Sequence, residues 1–105
     1  MNKWHKNLTP EKWTRYSLKT QMLMIGSEFS RILHLKDNAS QNNCLERACE
    51  LIDLTADDLK LGPGRKELLL LREALRQEYN GTINPQKIEQ YYKYCLDFSK
   101  LNHGA

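Results

Sequence analysis

Residues 21–27 read QMLMIGS, a run of four consecutive apolar side chains followed by a glycine. Four successive residues of a helix point in nearly every direction around its axis, so they cannot all face one core. At about 100° per residue, Met22 and Ile25 fall on one side of the helix, and Leu23 and Met24 fall roughly on the other. The run therefore predicts a core-facing helix that also carries a second apolar surface.

The helix that contains this run is predicted over residues 10–36. It begins at a strong start pattern, because Thr9 is a favoured N-cap and Pro10 suits the first helical position. Its core stripe recurs at spacings of three and four residues, through Leu18, Met22, Ile25, Phe29 and Ile32. Gly26 inside the helix indicates the close approach of another backbone, since glycine otherwise lowers helix stability.

Three further helices are predicted, over residues 41–54, 65–80 and 85–101. The last one starts like the first, with Asn84 as the N-cap and Pro85 at the first helical position. No region shows the alternation of apolar and polar residues that is typical of strands. The sequence therefore predicts an all-α fold, namely an antiparallel up-down four-helix bundle that forms a single domain over residues 1–105.

Composition and charge describe an ordinary globular chain. It has 105 residues, of which 40% are hydrophobic and 28% are charged, with a net charge of +3. Residues 1–36 hold seven basic against two acidic side chains, and residues 37–64 hold two against six. The simpler interpretation is that these two regions lie side by side and complement each other. The alternative is a basic groove for nucleic acid.

Cysteine usage and hydropathy favour a cytoplasmic protein. The three cysteines include no CxxC pair, so they predict neither a disulfide framework nor a zinc site. The N-terminal segment has no apolar signal region, and no stretch approaches the roughly 18 apolar residues of a membrane span. We therefore expect no membrane association, no metal and no cofactor.

The back of the first helix is the predicted interaction surface. Opposite the core stripe lie aromatic, apolar and small residues, and self-association is a common use of such a surface. The interpretation predicts a homodimer, with another protein as a possible further partner, and the alternative is that residues near Trp4 or the 55–64 loop cover this surface. The predicted interface residues are Trp13, Tyr16, Leu23, Met24 and Ser27.

Glu28, Arg31 and His34 form the densest group of reactive side chains on one helix. The spacing predicts a surface ion pair between Glu28 and Arg31, because residues three apart on a helix are neighbours. The alternative is a half-buried polar cluster that also includes Glu50 and Asp53. No nucleophile is spaced near this group and no histidine pair has metal-ligand spacing, so a non-enzymatic protein is expected.

Two segments, LERACELIDLT at residues 45–55 and RKELLLLREAL at residues 65–75, are similar to those of small bacterial all-helical proteins. In architecture the chain resembles the HEPN group of helical domains. That resemblance implies an RNA-associated or toxin–antitoxin type of protein. Active members of the group place an arginine shortly before a histidine on a late helix, whereas Arg31 and His34 lie on the first helix, so no catalytic residue is transferred.

If the chain binds RNA, the residues expected to contact it are Lys12, Arg15, Lys19 and Arg31. Basic side chains on one region of a surface are the usual footprint of nucleic-acid binding. This interpretation stays open beside that of a protein-contact module.

Overall fold

A computed structural model describes the backbone of residues 8–79, 81 and 83–101, and the side chains of these residues except 59–61 and 99–101. Within those residues the fold is all-helical and no strand occurs. Its Cα radius of gyration is 13.1 Å, the size of one compact globule of this length. The elements are α1 Pro10–Thr14, α2 Leu18–His34, α3 Asn38–Ala56, a 3-10 segment Leu59–Gly64, α4 Arg65–Glu78 and α5 Pro85–Leu101.

The first predicted helix is divided in two, so its prediction as one helix over 10–36 is wrong. Thr9 caps α1 as expected, since its hydroxyl accepts a hydrogen bond from the Lys12 backbone N–H at 3.2 Å. Ser17 then adopts an extended conformation, and its hydroxyl accepts from the Thr20 backbone N–H at 3.1 Å. This second cap starts a new helix because it satisfies an N–H group that would otherwise lack a partner.

The remaining boundaries are close to their predictions. α3 begins at Asn38 rather than at residue 41, because Asp37 accepts from the Ser40 backbone N–H at 2.8 Å and caps the helix. Hydrogen bonds from the backbone and the side chain of Ser40 hold the pKa of the Asp37 carboxyl below its ordinary value. α4 ends at Glu78 instead of residue 80, and residue 80 lies outside the described residues. α5 spans the predicted 85–101.

The core lies around α2, which packs against both α3 and α5, while α4 packs against α3. All five residues of the predicted α2 stripe are buried, which confirms that stripe as core. A Cβ added at Gly26 would lie 3.2 Å from the Cys95 Cβ and 3.6 Å from Tyr92 Cδ1. The expected close approach at Gly26 is therefore confirmed, and α5 is the element that makes it.

Candidate functional site

The outward side of α2 carries most of the predicted interface residues. Leu23 is 38% exposed and Ser27 is exposed, one turn apart on the helix. Met24 is half-buried and packs against the core, and Tyr16, just before α2, is 42% exposed. We call these four residues, Tyr16, Leu23, Met24 and Ser27, the α2 face.

Trp13 does not belong to the exposed surface. Its side chain is completely buried within the chain, and its indole N–H donates to the Thr55 hydroxyl at 2.9 Å. The ring also meets Tyr16 edge-on, with 5.6 Å between the ring centroids. The break before α2 explains this change, because Trp13 sits on the separate helix α1 and not on the back of a continuous helix. Trp13 is a core residue, and its prediction as an interface residue is corrected accordingly.

A buried polar cluster secures this break. Gln21 is fully buried, and the two N–H groups of its Nε2 are shared among the Trp13 carbonyl, the Tyr16 carbonyl and Asp58 Oδ2, which lie 3.1, 3.2 and 2.9 Å away. The Trp13 carbonyl lies at the end of α1 and the Tyr16 carbonyl lies between α1 and α2, a region where backbone oxygens lack the partners of a continuous helix. Among the described residues, the Gln21 Oε1 is buried and has no hydrogen-bond partner. The cluster thus links α1, the start of α2 and the end of α3.

The sequence did not indicate this cluster. Gln21 and Asp58 are 37 positions apart, and neither residue belongs to a motif. The only available signal was a glutamine next to the core positions of the α2 stripe, where a polar side chain needs a buried partner. That signal identifies Gln21 as a candidate for a buried polar contact, but it does not identify Asp58 as the partner.

The predicted polar cluster is only partly brought together. Arg31 and Glu28 form an ion pair, with Nη1 and Oε1 3.4 Å apart, and Glu28 is buried while Arg31 is exposed. Asp53 instead accepts from Arg72 Nε on α4 at 3.0 Å. Glu50 lies on α3 and is half-buried. The Glu28–Arg31 pair forms between the expected residues, but Glu28 is buried and the pair is not wholly at the surface. Asp53 serves the contact between α3 and α4.

His34 lies three residues after Arg31, near the end of α2. The His34 side chain is exposed, and its Nδ1 lies 2.8 Å from the Ser30 carbonyl of the same helix. Within the described part of the chain, no three histidine, cysteine, aspartate or glutamate side chains are placed to hold a metal ion. None of the described helices has the length and hydropathy that a bilayer crossing requires.

A groove of about 450 Å³ lies between α3 and α4. Its lining combines buried apolar residues with charged and aromatic ones: Leu45, Glu46, Cys49, Arg72, Leu75, Arg76 and Tyr79. Burial raises the pKa of the Cys49 thiol to about 11, so the thiol is protonated at neutral pH and is a poor nucleophile. The groove therefore has no activated nucleophile, and Arg72 on its wall is already bonded to Asp53.

The side of α4 that points away from α3 is the most exposed apolar surface among the described residues. Leu70 is 65% exposed and Leu69 is 44% exposed, although both lie in the middle of a helix. Lys66, Glu73 and Gln77 are exposed beside them. We call these five residues, Lys66, Leu69, Leu70, Glu73 and Gln77, the α4 face. Sequence analysis assigned it no role.

Searches against protein-family models, curated proteins and solved structures found no match for this chain.

Proposed function

We propose that this chain is a non-enzymatic, cytoplasmic helical-bundle protein that acts through protein–protein contacts, first of all by forming a homodimer. The observation that carries the proposal is the exposure of apolar side chains on the α2 face, where Leu23 is 38% and Tyr16 is 42% exposed. Exposed apolar residues grouped on one surface are typical of interaction sites. The proposed dimer buries the α2 face against the same face of a second copy.

The proposal includes an antiparallel up-down arrangement of the four long helices. Two contacts between α2 and α5 support it, because Gly26 lies beside Cys95 whereas Phe29 lies beside Tyr91. Residue numbers thus rise along one helix and fall along the other. The cytoplasmic assignment is supported by the cysteines, which are all free and buried, as is common in a reducing compartment.

Analytical ultracentrifugation tests the homodimer. Leu23→Glu places a charge in the proposed interface, and because Leu23 is partly exposed, its replacement should leave the fold intact. We expect the wild type to sediment as a dimer at high micromolar concentration and Leu23→Glu to sediment as a monomer. Met24→Glu is expected to act in the same direction, although part of its effect comes from the core contacts of Met24.

The matched control is Gln90→Glu, which adds the same charge at an exposed position of α5. It is expected to keep the mass of the wild type. A wild-type chain that remains monomeric would overturn the proposal, as would a dimer that is unaffected by Leu23→Glu while circular dichroism shows that the variant is folded.

The alternative function is that of an HEPN-like, RNA-associated or toxin–antitoxin type of protein. The observation that favours it is that Lys12, Arg15, Lys19 and Arg31 are all exposed, on or next to α1 and α2. Single-stranded RNA binding would then weaken steeply with salt, because each phosphate contact releases counterions. Fluorescence anisotropy of a labelled RNA across a salt series tests this. A flat salt response or absent binding would overturn this alternative. Lys93→Glu, a charge reversal at an exposed position of α5 outside the proposed RNA contacts, is the control and should leave binding nearly unchanged.

A further inference from the structure

The α4 face presents two adjacent leucines with complementary charges on either side. Lys66, Leu69, Glu73 and Gln77 follow one another at spacings of three or four residues, and Leu70 lies four residues after Lys66, so all five share one side of the helix. That side lies opposite the buried Leu68, Leu71 and Leu75, which anchor α4 to the rest of the fold. The face is therefore held on a fixed helix and yet covered by nothing among the described residues.

The order of residues on this face is self-complementary. The midpoint between Leu69 and Leu70 is also the midpoint between Lys66 and Glu73, so each charged residue lies about 5 Å along the axis from that point at 1.5 Å per residue. When a second α4 packs antiparallel across this midpoint, the leucines meet the leucines of the copy. Each Lys66 then faces the Glu73 of the copy. The arrangement is compatible with a twofold axis, because such an axis makes every contact occur twice and the Lys66–Glu73 pair does so here.

The present partner of Glu73 does not prevent such a contact. Its carboxylate lies 3.8 Å from Arg76 Nη1, and both side chains are more than half exposed. An exposed pair at this distance contributes little, so exchange with a second partner costs little. The symmetric order of the charges argues for a copy of this chain rather than an unrelated protein.

We propose that the α4 face binds the α4 face of a second copy, as a twofold contact separate from the α2 face. The inference rests on the proposed self-association and extends it, since two different twofold contacts on one chain allow assemblies larger than a dimer. The leucines supply the apolar centre of the contact, and the two Lys66–Glu73 pairs set its antiparallel register.

Sedimentation across a concentration series tests the proposal with charge reversals. Lys66→Glu and Glu73→Lys each set like charges opposite one another, and each should weaken the α4 contact about tenfold, the effect of two repulsive pairs. The double variant Lys66→Glu/Glu73→Lys restores opposite charges and should assemble like the wild type. An equimolar mixture of the two single variants should also assemble, because every Glu then faces a Lys.

Two further variants complete the experiment. Leu70→Glu removes the apolar centre at the most exposed position, so it should abolish the α4 contact without unfolding the chain. Lys93→Glu is the matched control, since Lys93 is exposed on α5 and paired within its own helix, with Lys93 Nζ 4.0 Å from Glu89 Oε1. It should leave the assembly unchanged.

The outcomes separate this inference from the proposed function. If Leu70→Glu keeps the wild-type assembly, or if neither the double variant nor the mixture recovers it, the inference is overturned. If Leu70→Glu lowers the mass and Leu23→Glu does not, the α4 contact stands and the α2-face dimer is wrong. If both variants lower the mass, both contacts stand, whereas a monomeric wild type overturns both.

Discussion

Helices α2 and α4 each contain a run of four consecutive apolar residues, Met22–Ile25 in α2 and Leu68–Leu71 in α4. In both runs the first and fourth residues are buried, since residues three apart share one side of a helix. The two middle residues differ. In α2, Leu23 is exposed and Met24 packs partly against the core, whereas in α4 both Leu69 and Leu70 are exposed.

The difference arises from the number of neighbours that each helix has. α2 lies between α3 and α5, so little of its circumference is left for solvent, whereas α4 packs closely on α3. Helical geometry therefore selects which members of an apolar run can reach the core. The surrounding helices determine how far the others are covered, and so where a surface remains for a partner.

The largest expected effect is at the buried ends of the two runs. Met22→Ala and Leu68→Ala should each lower the free energy of unfolding by about 2–5 kcal/mol, because each leaves a cavity in a closed core. Leu23→Ala and Leu70→Ala should each cost less than about 1 kcal/mol, since both side chains are exposed at the surface and their truncation leaves no closed cavity. Urea denaturation at low protein concentration measures all four, and equal costs within either run would refute the comparison.

Gly26, directly after the first run, tests how tightly α2 is enclosed. Gly26→Leu should destabilise the protein by about 1–3 kcal/mol, because Cys95 and Tyr92 leave no room for a side chain. The control Lys19→Leu adds a leucine at an exposed position of the same helix and should change stability by less than about 0.5 kcal/mol. Thermal melting compares the two, and a Gly26→Leu variant as stable as the control would show that α5 can move away.

The residues that precede the two runs provide a third contrast. Gln21 is buried in the polar cluster, whereas Glu67 is exposed. Gln21→Met should cost about 1–2 kcal/mol, because Asp58 and two carbonyls lose a buried donor. Glu67→Met should stay within about 0.5 kcal/mol of the wild type. The same urea titration checks both, and a neutral Gln21→Met would mean that water replaces the amide.

Two buried thiols beside these helices affect stability only at basic pH. Burial raises the pKa of Cys95, next to Gly26, to about 12, and that of Cys49, in the groove beside α4, to about 11. Above the ordinary thiol pKa of 9.0 the unfolded chain has lost protons that the folded chain retains. The free energy of unfolding should therefore fall as pH rises above 9.0 toward 11.

Urea midpoints measured between neutral pH and about pH 10.5 check this slope. Cys95→Ala and Cys49→Ala should each make the decline shallower, since each removes one retained proton. A decline that is equally steep in both variants would show that the thiols titrate at their ordinary pKa in the folded state.

Much of the local structure could be predicted from particular residues. Thr9 with Pro10 and Asn84 with Pro85 identified two helix starts, because capping depends on chemistry within a few positions. The boundary at Ser17 was missed, although Ser17 is itself a favoured cap, because the apolar spacing continues across it. Because of that error, Trp13 was assigned to the interface although it is a core residue.

The candidate surfaces were only partly predictable. The α2 face follows from the helical positions of Leu23 and Met24, and all four of its members were among the predicted interface residues. The α4 face was not predicted, because the sequence RKELLLLREAL alone does not show how many other helices pack against α4. The contact between Asp53 and Arg72 had no sequence signal either, because it joins residues 19 positions apart.

By itself, the sequence determined the helical class, most helix starts and which residues of each apolar run face inward. These properties depend on dihedral preferences, capping and a period of 3.6 residues, all of which act within a few positions. Only the tertiary structure decided that Gln21 meets Asp58, that Trp13 is buried and that Leu70 is not. Burial depends on which distant segments arrive at a surface, and that is settled by the packing of the whole chain.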